Sequence, residues 1–99
     1  LQPRHDHLLG RILFNQGQYE RAVAHLQKVL KDAAPYNARI RASALLRLGM
    51  IHDLRRERKQ AEECYRRALA VEGGEGIAQV DARQYLKGPY QPPAKVPAP

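Results

Sequence analysis

Apolar residues recur at helical spacing along most of the chain, and polar breaks divide them into five segments. Leu8, Leu9, Ile12 and Leu13 keep the interval of an amphipathic helix, which predicts a first helix over residues 3–16 with Pro3 in its opening turn. Asn15, Gln16, Gly17 and Gln18 break the pattern. Tyr19, Ala22, Val23, Leu26, Val29 and Leu30 predict a second helix. It stops at residues 32–35, because a residue preceding proline is pushed out of helical geometry. Two helices joined by so short a turn make a helical hairpin.

The scheme then starts again. Asn37 is a plausible N-cap for a third helix that carries Ile40, Ala44, Leu45, Leu48, Ile51 and His52 to about Arg55. A charged turn spans residues 55–59. A fourth helix holds Ala61, Cys64, Tyr65, Ala68, Leu69 and Val71 and is ended by Gly73, Gly74 and Gly76. Residues 77–87 predict a fifth helix with Ile77, Val80, Ala82, Tyr85 and Leu86 on or near one face, and Gln79, Asp81, Arg83, Gln84 and Lys87 on the other. Residues 88–99 hold five of the seven prolines and favour extended polyproline geometry.

Sliding the chain against itself by 39 positions aligns Leu9 with Leu48, Gly10 with Gly49, Ile12 with Ile51, Ala22 with Ala61, and Leu30 with Leu69. Internal periods of 20 to 50 residues mark stacked helical units, none of which buries its apolar face alone. The expected fold is therefore all-α, with about five helices and no strand. Residues 1–87 form one repeat domain: a first repeat at about 3–35, a second at about 36–72, and a capping helix at about 77–87. Residues 88–99 are a proline-rich tail.

These residues resemble the tetratricopeptide repeat, in which small and large apolar residues alternate on two antiparallel helices. The first unit reads Leu9, Gly10, Leu13, Gly17, Tyr19, Ala22, Leu26 and Val29, followed by Pro35; the second reads Leu48, Gly49, Ala61, Tyr65 and Ala68. Arg56 and Arg58 stand where the family usually has its turn glycine and the following aromatic. The unit of 39 exceeds the usual 34, and the surplus is placed in a longer third helix, at residues 36–41. Gly10 and Gly49 are expected to let the second helix of each pair approach closely against Ala22 and Ala61, with Leu26 and Tyr65 filling space toward the neighbouring pair.

The resemblance implies a right-handed superhelical stack that binds a peptide or helix of a partner protein on its concave face. Carried onto matching positions, it nominates Arg4, His7, Arg11, Phe14 and Asn15 from the first unit, with Ser43, Arg47, Met50, Asp53 and Leu54 from the second. That set is basic with apolar spots, which suits an acidic or amphipathic segment. Family members that grip a chaperone's C-terminal carboxylate have an asparagine where Arg11 stands, so that particular clamp is not expected.

Charge sharpens this picture. The net charge is +7, and residues 36–72 alone carry +4. Arg55, Arg56, Arg58, Lys59, Arg66 and Arg67 form a basic surface that offers an alternative, the binding of nucleic acid or another acidic ligand. Glu62 with Arg66 and Glu63 with Arg67 are spaced to neutralise it in part. Self-association is a further alternative, since two repeats and a cap fall short of the three units such stacks usually need.

Catalytic and metal chemistry find little support. His5 and His7 point apart on a helix, and no cysteine or acidic pair completes a ligand set with His25 or His52. Cys64 reads as a core thiol, and residues 73–76 follow a helix, so they fail the context of a phosphate loop. No enzyme activity, metal or cofactor is expected. No apolar run approaches the length of a membrane helix. The chain begins at Leu1 without a methionine and reads as a piece of a longer protein, which leaves room for an upstream signal or anchor; the piece itself is expected to be soluble, the cytoplasm is slightly favoured, and the lone cysteine does not decide the compartment.

Overall fold

Five helices follow one another in the computed structural model, which describes residues 3–32 and 38–92: α1 (Pro3–Asn15), α2 (Tyr19–Asp32), α3 (Ala38–Leu54), α4 (Arg58–Leu69) and α5 (Ile77–Lys87). The expected N-cap at Asn37, the stop before Pro35 and the end of the proline-rich tail lie outside the described residues, as does the side chain of Arg4.

The two hairpins are built the same way down to single hydrogen bonds. At the end of α1, Gln18 N–H donates to Leu13 C=O (2.9 Å) and Gly17 N–H to Phe14 C=O (3.0 Å). At the end of α3, Glu57 N–H donates to His52 C=O (2.8 Å) and Arg56 N–H to Asp53 C=O (3.0 Å). Both sets match at the 39-residue offset, and both are Schellman turns, which require a left-handed residue just past the helix. Gly17 supplies it with φ 77°, and Arg56 supplies it with φ 60°. The second turn thus keeps its shape without glycine.

Close approach within each hairpin rests on Gly10 and Gly49. A Cβ on Gly10 would lie 2.7 Å from Leu26 Cδ2, and one on Gly49 would lie 2.5 Å from Tyr65 Cε1. Leu26 and Tyr65 lie directly on these glycines, and the Tyr65 ring also reaches Tyr85 of α5 with ring centres 5.7 Å apart. Ala22, Leu26, Ala61 and Tyr65 are fully buried there. Val29, Leu45 and Ile51 continue the same core.

Among the described residues α1 packs on α3 and α3 on α5, whereas α2 and α4 do not meet. The stack therefore closes along α1, α3 and α5 and opens along α2 and α4, so the first three line its inner face.

Three expectations change. Leu8 and Ile12 are about half exposed, and the buried stripe of α1 runs through Asp6, Gly10, Leu13 and Phe14. Helix α4 begins at Arg58, inside the expected charged turn, and ends at Leu69, ahead of the glycines. Its closing device is Gln79, whose Nε2 donates to the carbonyls of Ala68 (3.0 Å) and Val71 (3.1 Å). Helix α5 is accordingly rotated: Gln79 is 5% exposed while Ile77 is 80% and Val80 60% exposed. Free carbonyls at a helix end must find donors when buried, and that demand outweighs the burial of two aliphatic side chains.

Candidate functional site

The inner face divides into a basic half and an aromatic half. The basic half is an open depression of about 410 Å³ between α3, α5 and Arg11 of α1, lined by Arg39, Ser43, Leu46, Arg47, Ile77 and Asp81 among others. Arg39, Ser43 and Arg47 are spaced by one helical turn each, so α3 presents them on one stripe.

Arg47 is the centre of this half. Its Nη1 donates to Ser43 Oγ (2.9 Å), and His7 Nε2 lies 2.9 Å from the same oxygen. Burial, with the charges of Arg47 and Arg11 close by, pulls the His7 pKa down to about 4. The ring is therefore neutral near pH 7, and a neutral ring can accept the Ser43 proton at Nε2 while the hydroxyl accepts from Arg47. Burial and the Arg11 charge also depress the Arg47 pKa, against the opposing pull of Asp81. Arg47 Nε–H is buried with no hydrogen-bond partner among the described residues. A partly desolvated guanidinium with two more arginines around the same depression is suited to pair with an anionic oxygen.

The aromatic half centres on Asp53, whose side chain is only 1% exposed. Its carboxylate accepts from Arg58 Nη1 at both oxygens (3.1 Å each), from Tyr65 OH (2.6 Å) and from Tyr90 N–H (2.9 Å). Arg58 Nη2 donates in turn to the Tyr85 and Leu86 carbonyls (2.7 and 3.2 Å) at the end of α5. Burial, then the bond to Asp53, pushes the Tyr65 phenol pKa up. The Tyr90 ring packs 6.1 Å from Phe14 and 5.3 Å from Tyr85, centre to centre.

The nominated groove residues thus separate. His7, Arg11, Ser43 and Arg47 come together in the basic half. Phe14 and Met50 are buried, Asp53 is consumed by internal bonds, Leu54 is half-buried beside the aromatic half, and Asn15 is exposed. Arg39 and Asp81 line the depression without having been nominated; the one-turn spacing of Arg39, Ser43 and Arg47 was the available signal for the first.

Arg55, Arg56, Lys59, Arg66 and Arg67 are exposed, while Arg58 is drawn into the Asp53 network. The expected pairs of Glu62 with Arg66 and Glu63 with Arg67 do not form; Glu62 Oε2 faces Arg58 Nε at 3.8 Å, one turn earlier. His52 Nδ1 sits 2.9 Å from Glu57 Oε1, and His25 Nδ1 lies 3.0 Å from the buried Asp6. Cys64 is buried, and burial raises its thiol pKa. Among the described residues no group of three His, Cys, Asp or Glu side chains is placed to hold a metal ion, and no helix is long and apolar enough to cross a membrane.

Two matched hairpins closed by a further helix, with an inner face lined by the first helix of each, define a helical-repeat protein. The family model described as tetratricopeptide repeat matches residues 2–71, and the chain belongs to that family. Such repeats are non-catalytic and generally mediate protein–protein interaction. Neither a curated protein nor a solved structure matches the chain.

Proposed function

We propose that the chain is an interaction module that holds an acidic or amphipathic segment of a partner protein against the basic half of its inner face. The observation that supports the reading is the gathering of Arg11, Arg39 and Arg47 around one open depression. Carboxylates of the partner would pair with these guanidinium groups, and Leu46 and Ile77 would take an apolar neighbour. Fluorescence anisotropy with a labelled peptide alternating Glu and Leu, against a Lys and Leu control, tests this. Arg11→Glu with Arg47→Gln should weaken the acidic peptide about tenfold or more, as loss of charge-assisted bonds implies, while circular dichroism stays unchanged. Equal binding by the variant and the unmodified chain would count against the reading.

Self-association is supported by a separate observation. Leu8 and Ile12 on α1, and Ile77 and Val80 on α5, expose apolar pairs at the two ends of the inner helical layer. An end-to-end contact between copies would cover both. Light scattering on Ile77→Lys, Val80→Glu against the unmodified chain checks it; a strict monomer in both cases would remove the support.

A further inference from the structure

Past α5 the chain is tied back to the body by Tyr90, while Pro89, Gln91 and Pro92 stay exposed. Gly88 is extended, with φ −161° and ψ 145°, and ends the helix. The chain then returns over the inner face, where Tyr90 N–H bonds Asp53 of α3 and the Tyr90 ring packs between Phe14 of α1 and Tyr85 of α5. Beside this strap a depression of about 510 Å³ remains, lined by Leu54, Arg56, Pro89 and Pro92 among others.

The contacts are those of a bound peptide and not those of a helix cap. They join residues far apart in sequence, they come from an extended segment bracketed by prolines, and a single aromatic ring and one main-chain N–H supply them. Proline flanks fix the extended backbone in advance, so the segment loses little entropy on docking. Tyr90 contributes no hydroxyl hydrogen bond among the described residues, so its ring and its amide carry the recognition.

We infer that the aromatic half of the inner face is a docking site for an extended tyrosine segment flanked by prolines, and that the chain's own residues 89–92 occupy it. Phe14 and Tyr85 form the ring slot, and Asp53 reads the main-chain N–H. A partner protein with an exposed Pro-Tyr-x-Pro segment enters by displacing the strap, which acts as a built-in competitor. Tethering gives the strap an effective concentration near millimolar, so a weak outside segment is excluded and a strong one is admitted. The site is separate from the basic depression, and the inference does not depend on an acidic ligand.

The test uses the full chain, isotope-labelled for NMR. Nuclear Overhauser contacts between Phe14 and Tyr90 within one molecule are expected, and contacts only between molecules of a mixed-label sample would overturn the proposal in favour of strand exchange. A synthetic peptide of residues 87–92 is then titrated into the unmodified chain, Tyr90→Ala and Tyr90→Phe. Removing the competitor in Tyr90→Ala should tighten peptide binding about tenfold or more, with shifts at Phe14, Asp53 and Leu54, whereas Tyr90→Phe should behave as the unmodified chain. Equal affinity for all three, or no shift at those residues, would overturn it. A Tyr90→Ala chain that does not fold would overturn it too, because a ligand is dispensable to its receptor's fold.

Discussion

Asp53 and Arg58 form an ion pair at the positions that Phe14 and Tyr19 occupy, one repeat earlier, as an edge-packed aromatic pair with ring centres 5.6 Å apart. The same place in the fold is thus closed once by apolar contact and once by charge. The two solutions differ in what they tolerate. Removing one aromatic ring leaves a void, whereas removing Arg58 leaves a buried carboxylate.

Arg58→Ala leaves the buried Asp53 carboxylate with only the Tyr65 and Tyr90 donors and should therefore cost about 1.5–3 kcal/mol in urea unfolding, as the loss of a charged hydrogen bond implies. The triple variant Asp53→Phe, Arg58→Tyr, Tyr65→Leu rewrites the second unit with the residues of the first and removes every charge from the site. It should lose less than the single variant, because an apolar replacement of a buried pair is often neutral. A triple variant weaker than Arg58→Ala would show that the network, and not merely the absence of a bare charge, stabilises the second hairpin.

Arg56 carries a left-handed backbone that its counterpart Gly17 adopts freely. A left-handed non-glycine residue costs about 1–2 kcal/mol, and the added freedom of glycine in the unfolded chain returns about 0.4–1 kcal/mol of that. Arg56→Gly should raise stability by up to about 1.6 kcal/mol, whereas Gly17→Arg should lower it. Thermal melts of the two variants against the unmodified chain check the pair of signs, and a destabilised Arg56→Gly would show that the Arg56 side chain holds the turn.

Gly10 and Gly49 occupy matching positions and face different neighbours. A methyl at Gly10 would lie 2.7 Å from Leu26 Cδ2 and 2.9 Å from its Cγ, and one at Gly49 would lie 2.5 Å from the Tyr65 ring; both neighbours are fully buried, and Tyr65 is also tied through its hydroxyl to Asp53. Overpacking costs about 1–3 kcal/mol, and helix propensity returns about 1 kcal/mol on replacing glycine by alanine. Gly49→Ala should be destabilising by about 1–2 kcal/mol, and Gly10→Ala should cost less. Urea midpoints that rank the two in the opposite order would contradict the geometry.

These cases also separate what was legible in the sequence from what was not. Helix order and the repeat follow from residue type at fixed spacing, so the starts of α2 and α5 and the equivalence of Gly10 with Gly49 could be read directly. The rotation of α5 could not, since its cause is the demand of the α4 carbonyls for the Gln79 amide, a contact between elements. Asp53 was placed on the inner face by its position in α3, but its burial depends on Arg58, Tyr65 and Tyr90 arriving from three other segments. Arg11, Ser43 and Arg47 were nominated by the resemblance, which carries the groove positions of the repeat onto matching places in α1 and α3. Spacing does not report that Phe14 lies beneath Tyr90.

His7 makes the basic half sensitive to acid in a way that can be isolated. Its folded pKa of about 4 lies below the ordinary histidine value of 6.5, because the ring is half-buried against Ser43 and faces Arg47 and Arg11. Between those two values the unfolded chain takes up a proton that the folded chain refuses. Protons then favour unfolding, so stability falls as pH drops from about 6.5 toward 4. Above that window both forms are neutral and the effect vanishes. Asp6 acts in the opposite range: the bond from His25 holds its carboxyl below the ordinary value, so its stabilising effect is present above about 3.9 and is lost as pH falls further. His7→Gln keeps a partner for Ser43 and does not titrate. Its urea midpoint should decline less between pH 6.5 and pH 4.5 than that of the unmodified chain. Identical declines would mean that the His7 ring is protonated as easily in the folded chain as in the unfolded one, and that the two arginines do not act on it.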